Sequence, residues 1–307
     1  MRANVWSLSL AIFTLALGAV AERNPYDPTI HRWELTLVAA LVCLYLIVSA
    51  ARSIRPARGE EGFAAIGALG GAVIGIAFVV AELLVGPPQR IEAAPGQNYR
   101  PPHSSSVSIL FPKVTAQSLS RDPPTSVAVT WDGSSARLME GGTLRVHSYV
   151  FQAASWPAAH VSAWSRGQIE QTVTQPNGVA FVSPVLLFTD LDTDGLPVDS
   201  FNVPALHREV HVKYYPGLPA RGIDIPFVQL QINEENGGAL YSGVTISGRQ
   251  LRAAGMILVL TLGSYPLVTM APVPDEFMFT AGALIVGIGV LGFIAMVVRQ
   301  AVRRGPG

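Results

Sequence analysis

The sequence predicts a membrane protein with four α-helical transmembrane segments and one large all-β domain outside the membrane. Long apolar stretches occur at residues 4–21, 33–51, 63–86 and 276–298. A run of about 20 apolar residues crosses a hydrocarbon layer about 30 Å thick as a helix. Residues 107–275 instead alternate polar and apolar side chains between turn signals, which predicts an antiparallel sandwich or a barrel-like domain.

Composition supports this class and argues against others. Half of the 307 residues are hydrophobic and 14% are charged. The 21 basic and 21 acidic side chains cancel, so no net field favours nucleic acid as a partner. Cys43 is the single cysteine and lies in the second apolar stretch, where it cannot form an intrachain disulfide. We expect it to pack against neighbouring helices.

The first apolar stretch also has the features of a secretion signal. Arg2 precedes it, and the small residues Ala19 and Ala21 would suit a cleavage site. We interpret the stretch as an uncleaved membrane anchor. A further apolar stretch at residues 253–271 is an alternative fifth span, but the sequence Gly-Ser-Tyr-Pro at 263–266 favours a turn between two buried strands.

The distribution of arginine predicts the orientation in the membrane. Four spans place seven arginines on one side, whereas the opposite 22–32 loop contains Arg23 and Arg32. Because the side richer in basic residues is usually cytoplasmic, we expect both termini and the tail at 299–307 in the cytoplasm of a bacterial inner membrane. The large domain is then periplasmic. The seven are Arg2, Arg52, Arg55, Arg58, Arg299, Arg303 and Arg304.

Alternation and turn residues predict the strands of the large domain. We expect strands at residues 127–131, 144–151, 209–214 and 227–232. Glycine-containing turns separate them, at Asp132-Gly133, Gly141-Gly142, Pro176-Asn177-Gly178, Pro216-Gly217 and Asn236-Gly237-Gly238. Residues 87–106 contain five prolines, which predicts a linker or a strap laid over a surface.

Several stretches resemble the ResB family of cytochrome c biogenesis proteins. They are residues 212–217 (Val-Lys-Tyr-Tyr-Pro-Gly), residues 227–232 with the Asn-Gly-Gly turn after them, residues 251–267, and residues 282–289. The layout of three helices, a β-rich domain and a closing helix is similar too. The resemblance implies a membrane protein that works beside cytochromes and haem-handling partners.

One position departs from the family in a way that affects function. ResB proteins carry a histidine in the third helix that is implicated in haem handling, in a setting like Gly…His-Leu-Gly. Here residues 62–70 are Gly-Phe-Ala-Ala-Ile-Gly-Ala-Leu-Gly, and Ala68 occupies that place. None of the four apolar stretches contains a histidine. Alanine cannot ligate iron, so the resemblance implies the scaffold without the haem chemistry.

Two clusters of polar residues are candidate metal sites. Asp190, Asp192 and Asp194 precede Gly195, as at the start of a calcium loop, but Phe201 stands where a bidentate glutamate is needed. We interpret this loop as an acidic surface turn, with calcium binding as the alternative. His207, Glu209 and His211 are predicted to share one strand face without a third ligand. The other histidines are scattered, and we expect His31 near the membrane surface: His31, His103, His147 and His160.

Small residues predict close helix packing. Gly67, Gly71 and Gly75 form a stripe on the third helix, and Gly282 and Gly289 lie on the fourth. The stripe can pack inside this chain or against another subunit. The spacing of Gly287, Gly289 and Gly292 mimics a dinucleotide motif, but inside a span it predicts packing. Glu82 is the acidic residue within a span, and we expect its side chain to extend to the nearby membrane surface.

Together these features predict a non-enzymatic protein. No nucleophile elbow, phosphate loop or dinucleotide fingerprint occurs. We expect an accessory or scaffold subunit of a larger membrane electron-transfer assembly, photosynthetic or respiratory, whose β-domain covers the periplasmic face of partner subunits. It needs no cofactor of its own, since haem or pigments belong to its partners. The alternative is a ResB-like cytochrome c biogenesis factor that acts with a haem-handling partner.

Overall fold

The computed structural model describes residues 2–53, 60–91, 93–181, 183–235 and 237–304. Arg55, Arg58, Asn236 and the end of the basic tail lie outside these ranges, so the predictions made on them are not described further. Contacts divide the chain into two compact units. A helical unit comprises residues 1–90, 144–151 and 269–307, and a β-rich unit comprises residues 91–143 and 152–268.

The helical unit contains four long helices. Each has an uninterrupted segment that is long and apolar enough to cross a membrane, which confirms the four predicted apolar helices by length and composition. The helices extend somewhat beyond the predicted apolar stretches because charged residues form their ends. They are α1 (Arg2–Arg23), α2 (Trp33–Ser53), α3 (Glu60–Val85) and α5 (Glu276–Arg304).

Helix α3 is the centre of this unit. It packs against each of the other three helices. Sixty-one per cent of its apolar window is buried, compared with 17% for α5. Ala68 is fully buried in α3, in a cluster with Leu46 and Ala50 of α2. The position that would hold a histidine in a ResB protein is therefore an ordinary helix contact.

The remaining chain forms strands, with one short helix and two 3₁₀ turns, in three antiparallel sheets. The seven-stranded sheet follows the order β1-β16-β7-β6 with β8, β9 and β15 at its margins, the five-stranded sheet is β10-β11-β12-β13-β14, and the four-stranded sheet is β2-β3-β4-β5. The strands are β1 (Gln89–Arg90), β2 (Asn98–Tyr99), β3 (Ser108–Leu110), β4 (Ser126–Trp131), β5 (Ser134–Met139), β6 (Thr143–Val146), β7 (Tyr149–Ser165), β8 (Glu170–Gln171), β9 (Val185–Leu187), β10 (Asp190–Leu191), β11 (Pro197–Val203), β12 (Arg208–Tyr215), β13 (Phe227–Glu234), β14 (Ala239–Ile246), β15 (Gln250–Ala253) and β16 (Met256–Pro272).

One apolar core joins two sheets of the β-rich unit. The buried residues of β11, β12 and β13 alternate with half-buried or exposed ones. They meet residues of β7 and β16 in a single cluster, an arrangement like that of a β-sandwich. The cluster includes Val161, Phe201, Val210, Val228, Leu230, Leu258 and Leu260.

Three local predictions were wrong. Residues 253–271 form no turn at 263–266; β16 continues through them as one strand. Gly263 instead allows Leu119 to approach β16 closely, because a Cβ at position 263 would lie 2.8 Å from the Cγ of Leu119. The predicted strand at 144–151 is interrupted at His147, whose φ is 53°. The β region also contains the helix α4 (Ala116–Arg121), capped by Thr115 and Ser118.

The proline-rich segment at 87–106 runs partly as strand. Gln89 pairs with Met270 through β1, and Asn98 pairs with Leu110 through β2. The segment thus contributes one short strand to each of two sheets.

Candidate functional site

The helical unit buries a histidine–glutamate pair. His31 follows the loop after α1, and Glu82 lies in the last turns of α3. The Nδ1 of His31 contacts the carboxylate of Glu82 in a short hydrogen bond. Residue exposures are 6% for His31 and 9% for Glu82, so both side chains are shielded. The sequence indicates neither this contact nor the burial of the two side chains, and each supplies the other's polar partner.

Apolar side chains surround this pair. The imidazole of His31 stacks on Phe78, with ring centroids 6.5 Å apart. Phe78 belongs to a buried cluster with Ala21, Ile30 and Ala39. The Nε2 of His31 is buried and has no hydrogen-bond partner among the described residues. The Glu82 carboxylate at Nδ1 fixes the orientation of the ring. The unpartnered Nε2 is left available to a proton, a water molecule or a ligand.

A second polar contact ties the ends of two helices together. Arg145 in β6 donates to the carboxylate of Glu22 at the end of α1 and to the carbonyl oxygen of Pro274, just before α5. Charge-assisted hydrogen bonds of this kind are stronger than neutral ones. We interpret Arg145 as a structural clamp within the helical unit.

The predicted packing glycines lie at contacts between helices of this chain. A Cβ added to Gly67 would lie 2.6 Å from Leu8, and one added to Gly71 would lie 2.6 Å from the Cα of Ala11. Gly75 faces the thiol of Cys43 in α2. Gly282 faces Ile74, and Gly289 faces Gly67. The glycine stripe of α3 is thus occupied by the chain's own helices.

Gly287 behaves differently from its neighbours in α5. A Cβ at Gly292 would meet the ring of Phe63, and Gly289 is covered by α3, whereas no atom of the described residues lies within 4 Å of a Cβ placed at Gly287. The same side of α5 exposes large apolar residues. Leu284, Leu291 and Val298 recur every seven residues and are 65%, 70% and 55% exposed. This surface, the outer face of α5, is an uncovered apolar face around a glycine, and it is our candidate interface.

At the acidic loop of residues 190–195, a lysine from β12 lies where the alternative interpretation places a calcium ion. The ammonium of Lys213 contacts the carboxylates of Asp192 and Asp194, the latter at 2.8 Å. The hydrogen bond from Lys213 lowers the pKa of Asp192. The hydrogen bonds to Asp192 and Asp194 raise the pKa of Lys213. Asp190 lies in β10 and lines a surface groove together with Asp199 and Lys213. No group of three metal-ligating side chains occurs among the described residues.

The histidines of the β-rich unit do not converge. His207 adopts a left-handed conformation (φ 52°) after a 3₁₀ turn, so it does not share the strand face predicted for it with Glu209 and His211. It pairs with Glu235 at 2.7 Å, while His211 lies 3.4 Å from Glu209. Burial lowers the pKa of His160 in β7. His103 and His147 occupy separate left-handed positions.

Asp199 is a perturbed acid that sequence analysis missed. It lies in β11 and accepts hydrogen bonds from the backbone amides of Leu187 and Ser200. Burial raises its pKa to about 6 in spite of these hydrogen bonds, and the nearby charge of Asp190 adds to the effect. Its position in an alternating strand gives no sign of this environment, because the burial comes from residues distant in sequence.

Comparisons with known proteins yield no family for this chain. No family model matches it, and no curated protein matches it. FlgL from Xanthomonas campestris is similar at 8% identity, over 99% of this chain and 93% of that chain, with a TM-score of 0.14. The flagellar junction protein FlgL from Legionella pneumophila is similar at 8% identity, over 93% and 78%, with the same TM-score of 0.14. Scores this low carry no argument about fold or function.

Proposed function

We propose that this chain is a non-catalytic accessory subunit of a larger membrane assembly, anchored by its four helices. The observation that carries the proposal is the outer face of α5. Helices in lipid associate through close packing, and a glycine allows two backbones to approach. Within the part of the chain that the structure describes, no neighbour accounts for a glycine at position 287. A helix of a partner subunit would use the space, with Leu284 and Leu291 packing on either side.

The kind of host assembly is proposed from the resemblance in sequence. The resemblance to ResB proteins, which work beside cytochromes, favours an electron-transfer assembly, respiratory or photosynthetic. In this proposal haem or pigments belong to partner subunits, lipids or pigments line the exposed helices, and the β-domain covers the periplasmic face of its partners. The inferred site is the bacterial inner membrane.

The orientation is part of the proposal and rests on the arginine distribution. A reporter that is active in the cytoplasm should give a signal when fused at Arg55 or Gly307, and none when inserted at Thr130. A signal at Thr130 would reverse the orientation and remove the periplasmic role.

A pair of glycine substitutions in α5 tests the interface. Gly287→Leu fills a space that is open in this chain, so the isolated subunit should keep its stability. Overpacking a close contact costs about 1–3 kcal/mol, enough to reduce recovery in the assembly roughly five-fold or more. Gly289→Leu is the matched control, because it clashes with Gly67 and should destabilise the isolated subunit itself.

Recovery is measured by co-purification from native membranes in mild detergent, and stability by thermal unfolding of the free subunit. Normal co-purification of Gly287→Leu would refute the α5 interface. Loss of stability in the free Gly287→Leu subunit would show that the open space is not open in solution.

The buried imidazole of His31 favours the alternative, a ResB-like cytochrome c biogenesis factor. Its donor chemistry suits haem iron, since a histidine ligand usually gives its other ring nitrogen to a carboxylate or carbonyl. The fit is incomplete, because Nε2 is enclosed by the helical unit and a macrocycle would reach it only after the helices separated. Purified subunit should show no Soret band after incubation with haemin. Stoichiometric binding that is lost in His31→Leu would favour the alternative over the scaffold.

A further inference from the structure

Strand β14 is an open edge of the five-stranded sheet. It pairs with β13 on one side, and no other strand of the described residues pairs with it. Every second residue of such a strand directs its N–H and C=O groups away from the sheet. The register with β13 shifts between Ile232 and Asn233, which leaves a bulge at Leu240. Residues 241–246 then pair regularly, so six residues present a straight edge.

Beyond the bulge at Leu240, this edge lacks the usual protection against pairing. Proteins guard exposed edges with charged residues, proline, β-bulges or very short strands. Residues 239–246 contain no charged residue and no proline. Val244 and Ile246 point outward and are 65% and 41% exposed. An apolar, uncharged edge of this length is therefore suited to accept another strand.

Apolar surface continues beside the edge. Phe227, Val244 and Ile246 line a groove of about 190 Å³ together with Ile223. Arg249 lies at the same groove, and its guanidinium forms no ion pair with any described residue. A strand added to β14 would cover this groove and would meet a positive charge at the end where Arg249 lies.

Charge at the two ends of β14 identifies a suitable occupant. Glu234 and Glu235 precede the strand, and Arg249 follows it. Both carboxylates are more than half exposed in spite of their contacts with Arg208 and His207. We propose that β14 pairs antiparallel with β14 of a second copy of this chain. Antiparallel pairing places the acidic start of each strand beside the basic end of the other, whereas parallel pairing would bring like charges together.

The symmetry of this pairing limits its register. A two-fold axis perpendicular to the sheet keeps outward residues opposite outward residues. One residue of each strand therefore lies directly opposite its own copy across the axis. The centre of the regular segment places it near Ser242, Gly243 or Val244. Outward residues of one strand then face outward residues of the other, and Ser242, Val244 and Ile246 bring no charge to this contact. The inference stands independently of the proposed electron-transfer role.

The mass of the full chain in mild detergent tests the dimer. The unsubstituted chain should sediment as a dimer after correction for bound detergent. Val244→Lys should weaken self-association at least tenfold, because it places two charges in the apolar contact. Leu191→Lys is the matched control at the opposite edge of the same sheet, where a leucine is 62% exposed. It should leave the dimer intact.

Cysteine cross-linking in membranes tests the pairing itself. One of Ser242→Cys, Gly243→Cys and Val244→Cys should give disulfide-linked dimer in most molecules, since the residue at the axis lies opposite its own copy. In Ile246→Cys the two thiols would be about 14–27 Å apart, because each strand residue adds roughly 3.4 Å and a disulfide requires Cα atoms within about 7 Å. Its yield should be at least tenfold lower. The unsubstituted chain controls for Cys43, which is buried.

Three results would overturn the proposal. The chain could be monomeric, which leaves the edge to a different protein. The dimer could persist in Val244→Lys, which would place the contact elsewhere. Cysteines at 242, 244 and 246 could cross-link equally, which would indicate random collision.

Discussion

Substitutions at His31 and Glu82 give the sharpest test of the helical unit. We consider His31→Leu, Glu82→Leu and the double substitution, because leucine resembles both side chains in volume and adds no polar group. In His31→Leu the Glu82 carboxylate loses the one side-chain partner that the structure gives it. In Glu82→Leu the imidazole loses its partner at Nδ1, so neither ring nitrogen has a hydrogen-bond partner among the described residues.

The two single substitutions should therefore differ in cost. An uncompensated carboxylate in a buried site costs about 3–5 kcal/mol, whereas a neutral polar group left without partners costs about 1–3 kcal/mol. The double substitution removes both polar groups, so its free energy of unfolding should lie within about 1 kcal/mol of the original. The coupling energy between the two positions is then several kcal/mol, well above the values for independent sites.

Unfolding of the subunit by sodium dodecyl sulfate in mixed micelles measures these free energies. Trp33 begins α2 two residues after His31, so its fluorescence reports the local structure in variants whose other four tryptophans are replaced by phenylalanine. A double variant as unstable as the sum of the two singles would refute the buried pair. Equal and negligible effects of the singles would show that the pair is solvated.

Three further predictions concern other parts of the molecule. Gly71→Leu should destabilise the free subunit by about 1–3 kcal/mol or more, measured by the same unfolding assay, because the new side chain meets the backbone of Ala11. Asp199 has a folded pKa of about 6, above its ordinary value, so its stabilising effect is greatest in acid and is lost as the pH rises through 6. The unfolding free energy of the unsubstituted chain should fall by roughly 1 kcal/mol between pH 5 and 7 relative to Asp199→Asn, and a parallel pH dependence would contradict this. Lys213→Met should leave the acidic loop without its cation, so added calcium should stabilise this variant more than the unsubstituted chain; equal calcium effects would argue that Lys213 does not take the place of a metal.

Much of the fold follows from local sequence patterns. Long uncharged stretches predict the four long helices, because few other structures satisfy the backbone of twenty apolar residues. Alternation predicts β4, β12 and β13, and turns occur at the predicted Asp132-Gly133, Gly141 and Asn177-Gly178 positions. These features depend on residues close together in the chain.

The errors come from contacts between distant residues. His31 and Glu82 are 51 positions apart in the chain. The local sequence around either residue does not indicate a contact with the other. Gly263 resembles a turn residue until the approach of Leu119 explains it. Lys213 belongs to a polar strand face by sequence, yet it neutralises a loop formed some twenty residues earlier, as shown by its contact with Asp194. Such pairings arise from the fold and leave no local signal.

The central claim is that the chain serves other membrane subunits, and its native composition tests this most directly. A tagged copy should be purified from the native membrane in mild detergent, and the size, polypeptides and chromophores of the product should be determined. The account predicts stoichiometric recovery with other integral membrane proteins, including a cofactor-bearing one, with no haem on this chain once it is separated. Recovery of the chain alone, as monomer or dimer, or with its own tightly bound haem, would contradict the account.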